Sequence, residues 1–285
     1  MTIDIICPLY KAENYIKGLN KSLLMQEKVE INKIKYIVTK SNDRTTDILK
    51  EMNIDYEEIL PIEFSHSLTR EKAAKESNAD IIVFITQDII IKDRLWLYYL
   101  TKDIIEGVCE ETYSRQIAKD DGIEKYTREW NYPEQSKILT KNDVEKLGIK
   151  AFFSSDASSA IRRDVFIKLN GYDGKNMPTN EDMYITYKLI MNGYRVKYCA
   201  DSVIYHSHNY GIKENYIRYY DTGKFFKQNS YLNKYKVTKA GGGMAKYILK
   251  RAIEDKNWKV ILNFLPNMVS RFLGMQMGKM NKEEG

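Results

Sequence analysis

The sequence predicts an α/β fold, a doubly wound mixed sheet with helices on both faces, and two observations carry that expectation. Short apolar runs rich in Ile, Val and Tyr alternate with helix-period segments through the first two thirds of the chain. The most apolar of these runs ends in a carboxylate, at the place where ligands dock on an open sheet, beyond the carboxyl ends of the strands. In order, Ile3–Leu9 reads as a strand, 12–26 as a helix, 35–39 as a strand, 44–52 as a helix, 56–60 as a strand, 69–77 as a helix and Ile81–Ile85 as the most apolar strand. The rhythm changes from about residue 107. A polar loop bearing Trp and Tyr is expected over 113–133, then a helix near 142–148, a strand at 151–154, a helix from Arg163, a helix over 183–192 stopped by Gly193, and strands near 195–199 and 203–206. Three glycines at 241–243 predict a hinge before two helices, 245–254 and 256–280, the second broken at Pro266.

Composition narrows the class. Hydrophobic residues make up 43% of the 285, against 29% charged, which is enough apolar surface to order a sizeable core and excludes disorder. Cys7, Cys109 and Cys199 are isolated and odd in number, so neither a disulfide framework nor a structural zinc site is expected, and a reducing cytosol fits. The strand-like start, with Asp4 in it, does not read as a secretory signal, and no apolar run is long enough for a membrane span; the expectation is a soluble or peripheral chain. The net charge of +6 is uneven: residues 211–285 hold fifteen Lys and Arg against six acids, whereas residues 1–210 hold thirty against thirty-three. A basic tail suits nucleic acid, an anionic membrane surface or plain solubility. No nucleic-acid-binding signature accompanies it, so nucleic acid is not an expected partner.

The candidates for chemistry sit in a few clusters. Asp88 closes Thr86-Gln87-Asp88 after the strand Ile81–Ile85, where an ionic ligand would dock, although a turn or cap role is the plainer one. Asp43 ends another strand and opens a helix, which an N-cap alone would explain. His66 and Arg70 flank a loop that empties into a helix N-terminus, a setting that favours phosphate. Glu181 and Asp182 stand at a helix start, where acids commonly just complement the dipole. His206 and His208, two apart on an expected strand, would face the same way and offer imidazoles to a metal or a diphosphate. All three histidines of the chain fall in these clusters.

The ordered series ICPLYKAENYI, VTKSNDRTTDIL, FSHSLTRE, VFITQD, YSRQ, NYP, GIKAFFSSDASSAIRRDVF, NGYD, NEDM, NGYRVKY and VIYHSHNY, over roughly residues 3–230, resembles the family 2 glycosyltransferases of GT-A fold. Within that family it is similar to bacterial rhamnosyltransferases, through its T-Q-D and H-S-H-N-Y runs. The resemblance implies an inverting transferase using a nucleotide-sugar donor, dTDP-L-rhamnose, with Mg²⁺ or Mn²⁺ on the donor diphosphate. It implies Asp88 as the surviving carboxylate of the metal motif, with His206 and His208 as further ligands, and Pro8, Tyr10, Asp43, His66, Arg70 and Gln87 on the nucleotide and diphosphate side. Asp182 matches the general base, with Glu181 orienting the loop or acceptor beside it, and Arg115, Gln116 and Asp156 fall where donor-sugar and acceptor contacts are expected. Ser67 and Glu71 depart from the usual Gly and Asn, and Val38 and Thr39 stand where many members carry an acid that meets the base.

Three segments are therefore expected: residues 1–105 as the nucleotide-sugar half of the GT-A domain, 106–235 as the acceptor half, and 244–285 as a basic amphipathic C-terminal helical extension. The extension mixes Leu, Ile, Phe, Met and Trp258 with Lys and Arg, which suits a membrane interface. It equally suits a helix pair packed on the catalytic domain or on a second subunit of a homodimer. A lipid-linked saccharide acceptor would put the enzyme on the inner face of the plasma membrane. Two rival readings stay open: another donor such as a UDP-hexose, and a catalytically silent scaffold that binds nucleotide-sugar.

Overall fold

The computed structural model describes residues 1–208, 210–235 and 240–281. Its first half is the expected alternation: β1 (Ile3–Leu9), α1 (Ile16–Leu24), β2 (Ile31–Thr39), α2 (Thr45–Glu51), β3 (Tyr56–Ile59), α3 (His66–Glu76), β4 (Ile81–Ile85) and α4 (Trp96–Ile105). α3 starts three residues before its expected position because Ser65 caps it, its Oγ accepting from Leu68 N at 3.2 Å. α1 starts later than expected, since 12–15 form a turn tied to the next loop by Ala12 N donating to Thr45 Oγ1. α4 was not anticipated; its Trp96 and Leu100 are wholly buried.

The second half continues with β5 (Glu111–Ile117), α5 (Ile123–Asn131), β6 (Lys137–Leu139), α6 (Val144–Leu147), β7 (Ser158–Arg162), α7 (Arg163–Lys168), α8 (Glu181–Met191) and β8 (Val196–Tyr205). The sheet order is β3-β2-β1-β4-β7-β5-β8-β6, with β7 and β6 antiparallel to their neighbours and the remaining pairs parallel. The carboxyl ends of β1, β2, β4, β5 and β8 thus meet the amino end of β7 along one edge, the ligand-binding edge of an open α/β sheet. Apolar side chains pack on both faces, Ile5, Leu19 and Trp96 on one and Phe84, Phe152 and Tyr172 on the other.

Three expectations in this half are corrected. The loop expected over 113–133 is β5 and α5, because β5 buries polar residues against other polar residues: Ser114 Oγ lies 2.6 Å from Ser158 Oγ and 2.8 Å from Ser202 Oγ, and Trp96 Nε1 donates to both Ser114 and Ser158. The strand expected at 151–154 is a 3₁₀ turn, Gly148–Phe152, and the strand is β7. The two strands expected near 195–206 are one strand with a bulge, Cys199 opposing Ser114 and Val203 opposing Arg115.

The chain beyond β8 is helical: α9 (Ile212–Gln228), which lies within the segment expected as the acceptor half and was not anticipated, then α10 (Ala240–Glu254) and α11 (Trp258–Met280), which form the expected extension apart from residues 282–285, outside the described residues. The glycines expected as a hinge stand in the first turn of α10, and Pro266 lies within an unbroken α11 on its exposed side. α11 lies along α9 at a separation only glycine permits. A Cβ on Gly274 would stand 2.4 Å from Tyr216 O, and one on Gly278 2.0 Å from Tyr220 O. α10 packs on α5 through Ile248, Ala252 and Tyr126. All three cysteines are buried free thiols.

Candidate active site

Asp88 lies just past β4, where a tight sheet edge gives way to loop. His206 Nε2 is 3.5 Å from its Oδ2 and His208 Nδ1 is 3.6 Å away, while Lys119 Nζ lies 3.8 Å off and donates to Asp88 O. The two histidines sit in the loop after β8, not on a strand as expected, and still converge. One candidate ligand atom from each of the three residues lies within 4.8 Å of the others. Burial raises the Asp88 carboxyl, but the His206 contact and the charges of His206, His208 and Lys119 outweigh it and hold the group below the ordinary range. Burial pushes His208 down to about 4 and His206 down as well, toward the neutral form in which an imidazole offers a lone pair.

The tautomer of His206 follows from its neighbour. Gln116 Nε2 donates to Ser155 Oγ at 2.8 Å, which leaves Gln116 Oε1, an acceptor only, against His206 Nδ1 at 3.0 Å. Nδ1 therefore carries the proton. Nε2 is left with a buried lone pair that has no hydrogen-bond partner, turned toward Asp88. Such an arrangement, a carboxylate with an outer amide fixing one imidazole, fits a divalent cation.

On the other side, Arg70 is 2% exposed and does not present an open fork at a helix start. Its Nη1 donates to Glu181 Oε1 at 3.1 Å and to His66 O at 3.0 Å, and its Nε is buried without a partner. His66 lies beside it, lowered by burial and by the charges of Arg70 and Arg218. Asp156, just ahead of β7, accepts from Tyr172 Oη at 2.8 Å and Ser159 Oγ at 2.6 Å. Asp182 follows Glu181 in the first turn of α8, half-buried, its Oδ1 accepting from Met183 N at 2.7 Å. Burial and then the charges of Glu181 and Asp156 raise the Asp182 carboxyl well above the ordinary range. A carboxyl perturbed by burial and by neighbouring acids in this way is a candidate general base. Asn180, which leads into it, has φ of +63° and a buried Oδ1 without a partner, a costly backbone at a functional loop.

The loops after β1 and β2 are tied together. Asp43 accepts from Ser41 Oγ, Thr45 Oγ1 and Glu13 N, which outweigh burial and lower its carboxyl. Gln87 brackets Tyr10, its Oε1 accepting from Tyr10 N and its Nε2 donating to Tyr10 O, so the half-exposed Tyr10 and partly buried Pro8 are held beside Asp88. Thr39 Oγ1, at the carboxyl end of β2, is buried without a partner. Arg115 pairs with Glu134 at 3.0 Å and lines, with Gln116, Lys119, Arg128 and Tyr132, a cavity of about 330 Å³.

Reading by residue type missed several members. Lys119 sits in a segment taken for loop, Tyr172 and Asn180 look like turn residues, and Ser155 carries no motif of its own. The departures at Ser67 and Glu71 have local causes: Ser67 Oγ donates to Lys175 O and accepts from Met177 N, and Glu71 Oε2 accepts from Tyr172 N and Gly174 N. Both bind the loop that leads to Asp182.

The sequence pattern of Glycosyl transferase family 2 matches residues 4–169. The chain is 33% identical to the O-antigen chain rhamnosyltransferase RfbN of Salmonella typhimurium, over 98% of this chain and 90% of that one. It is 32% identical to the O-antigen chain rhamnosyltransferase WbaN of Salmonella anatum, over 85% of this chain and 78% of that one. In fold it is similar to mannosyltransferase PcManGT from Pyrobaculum calidifontis, solved with GDP-Man and Mn²⁺ (TM-score 0.61, 12% identity, 98% of this chain and 86% of that one). It is also similar to residues 1–349 of S. aureus TarS, solved with UDP-GlcNAc (TM-score 0.58, 16% identity, 88% and 71%). With the family pattern over more than half its length and a GT-A sheet carrying these carboxylates at its ligand edge, the chain belongs to glycosyl transferase family 2.

Proposed function

We propose that the protein is an inverting rhamnosyltransferase that moves L-rhamnose from dTDP-L-rhamnose to a hydroxyl of a lipid-linked saccharide, at the inner face of the plasma membrane, in cell-surface polysaccharide synthesis. The observation that carries this reading is that one sheet edge gathers a three-residue cluster suited to a cation at Asp88 and a carboxylate group around Asp182, whose carboxyl is raised by burial and by Glu181 and Asp156. Similarity to two rhamnosyltransferases supports the sugar.

In this reading Asp182 takes the proton of the acceptor hydroxyl as that oxygen bonds to the anomeric carbon and the bond to the nucleoside diphosphate breaks on the opposite face. Glu181, fixed by Arg70, positions the acceptor loop, and Asp156 and Arg115 meet the sugars, while Gln116, expected beside them, is buried with its amide spent on Ser155 and His206 and acts through that imidazole. Pro8, Tyr10 and Asp43 frame the nucleotide, with the unpaired Thr39 hydroxyl free to meet the base, and His66 lies at the edge of the diphosphate. A cation held by Asp88, His206 and His208 would offset charge on the departing diphosphate. Two neutral imidazoles and one carboxylate suit Mn²⁺ better than Mg²⁺, which prefers oxygen alone.

A thermal-shift panel tests the donor. dTDP-L-rhamnose with Mn²⁺ should raise Tm more than UDP-hexoses or GDP-sugars do, and more than with Mg²⁺. A larger shift from a UDP-hexose would transfer the reading to that donor. Hydrolysis of the preferred donor without acceptor, absent in Asp182→Asn, separates an enzyme from a silent scaffold.

A further inference from the structure

α11 is 23 residues long and contains no Asp or Glu. Its inner face, with Asn267, Ser270, Arg271, Gly274 and Gly278, is buried. Its outer face is largely apolar: Trp258, Leu262, Leu265, Val269, Phe272 and Met280 are exposed along its whole length, Leu262 at 76% and Phe272 at 62%, with Asn263 and Gln276 as the uncharged polar residues exposed among them. The charged residues exposed on α11 are Lys259 and Lys279, one at each end. A continuous exposed apolar patch of this kind marks an interaction surface.

The positive charge of the extension does not account for such a surface, because much of it is locally neutralised. Arg271 pairs with Glu124, Arg251 with Glu129, Glu254 and Asp255, and Lys250 with Glu254. The apolar face is what remains unmet. We propose that the outer face of α11 inserts into one leaflet of a bilayer bearing anionic headgroups, with Lys259 and Lys279 seated among those headgroups. This deepens the reading above by naming the surface that meets the lipid, and rests on it only in taking the acceptor to be lipid-borne.

Two observations favour a bilayer over a second copy of the chain. Pairing two acid-free helices would bring lysines toward lysines with no acid on either helix to answer them, whereas anionic headgroups complement both ends. The exposed arc also takes in Leu273 and Met277, and is wider than a two-position coiled-coil seam. The helix lies on the membrane and does not cross it, since no helix among the described residues is long and apolar enough to do so. The inserted helix contacts the segment that leads to the catalytic edge: Ser270 Oγ donates to Ile212 O at 2.6 Å, and Tyr210, just ahead of α9, stacks on His208 at 4.9 Å. Insertion would therefore hold the cation cluster at a set height above the lipid surface.

The test uses the full chain and vesicles of phosphatidylethanolamine with a minority of phosphatidylglycerol. Leu262→Glu, Leu265→Glu and Phe272→Glu are combined; all three side chains are exposed, and circular dichroism with donor thermal shift checks that the fold is kept. The wild type should co-sediment, the triple variant should partition at least about tenfold less, and about 0.5 M salt should weaken wild-type binding without abolishing it. A wild type that stays in the supernatant overturns the proposal. So does complete release by salt, and so does a lipid-free dimer that the triple variant dissociates, which would make the face a contact between copies. A chain that binds vesicles but not dTDP-L-rhamnose would sink the proposed function and leave the insertion standing.

Discussion

Gln116 does for His206 what the motif around it does not announce. Its oxygen fixes the proton on Nδ1 and so leaves Nε2 for a cation; Gln116→Leu should weaken Mn²⁺ binding about 10–100-fold in calorimetric titration with little change in Tm. The three histidines and the acidic pairs were legible in the sequence as clusters, because the residue types are rare and chemically specific. Their partners Ser155, Lys119 and Tyr172 were not, because they act through geometry that only the sheet supplies, and Gln116 was named for a sugar contact and not for His206. Arg70 is the clearest case: the sequence suggested a phosphate contact at a helix start, and the fold buries it against Glu181 with Asp156 and Asp182 near enough to act on its charge. Arg70→Met leaves those carboxyls without their cation and should destabilise by about 3–5 kcal/mol in denaturant titration; adding Glu181→Gln should recover part of that loss. For Asp182, the raised carboxyl sets a sign. The base works only when deprotonated, so kcat should climb with pH through a limb above the ordinary carboxylate range, and Asp182→Asn should lower kcat by about 10²–10⁴ with donor affinity kept.

At the scale of elements, the first half was readable because β1, β4 and the buried second half of β2 are apolar enough to stand out, whereas the polar, partly exposed start of β2 at 31–34 was not expected as strand. β5 was not, because a strand that buries Glu111, Thr112, Ser114 and Gln116 looks like a loop until its hydroxyl partners from β7 and β8 are in place. Glu111 carries a testable consequence of that burial. Its carboxyl, bonded to Ser154 and Thr186, is pushed up to about 8 by desolvation. A raised carboxyl contributes stability while protonated and loses it as pH rises from the unfolded chain's ordinary carboxyl value through about 8. The Tm of Glu111→Gln should therefore gain on that of the wild type from about pH 5 to about pH 8, and a constant gap would show that Glu111 ionises in place. Among the helices, Pro266 was taken for a break because proline removes a helical donor, yet α11 continues past it, held along α9. Gly278→Ala should cost about 1–3 kcal/mol in thermal unfolding, since its Cβ would meet the Tyr220 carbonyl.

For the whole molecule, the expected halves, 1–105 and 106–235, contribute strands to one continuous sheet, and their loops share one edge. That edge explains why residues as distant in sequence as Asp88 and His206 form one cluster, which the ordered series of short runs had implied and composition alone had not. The charge of the extension was visible in the sequence, but its pairing with α5 and the apolar outer face of α11 emerged only from packing.

The central claim is inverting transfer of rhamnose with Asp182 as base. Its most direct test is the anomeric configuration, read by NMR, of the glycoside formed from dTDP-L-rhamnose, Mn²⁺ and a lipid-linked saccharide extracted from the producing cell. The wild type should form a rhamnoside of configuration opposite to that of the donor, and Asp182→Asn should form almost none. Retained configuration, or undiminished product from Asp182→Asn, would contradict the mechanism.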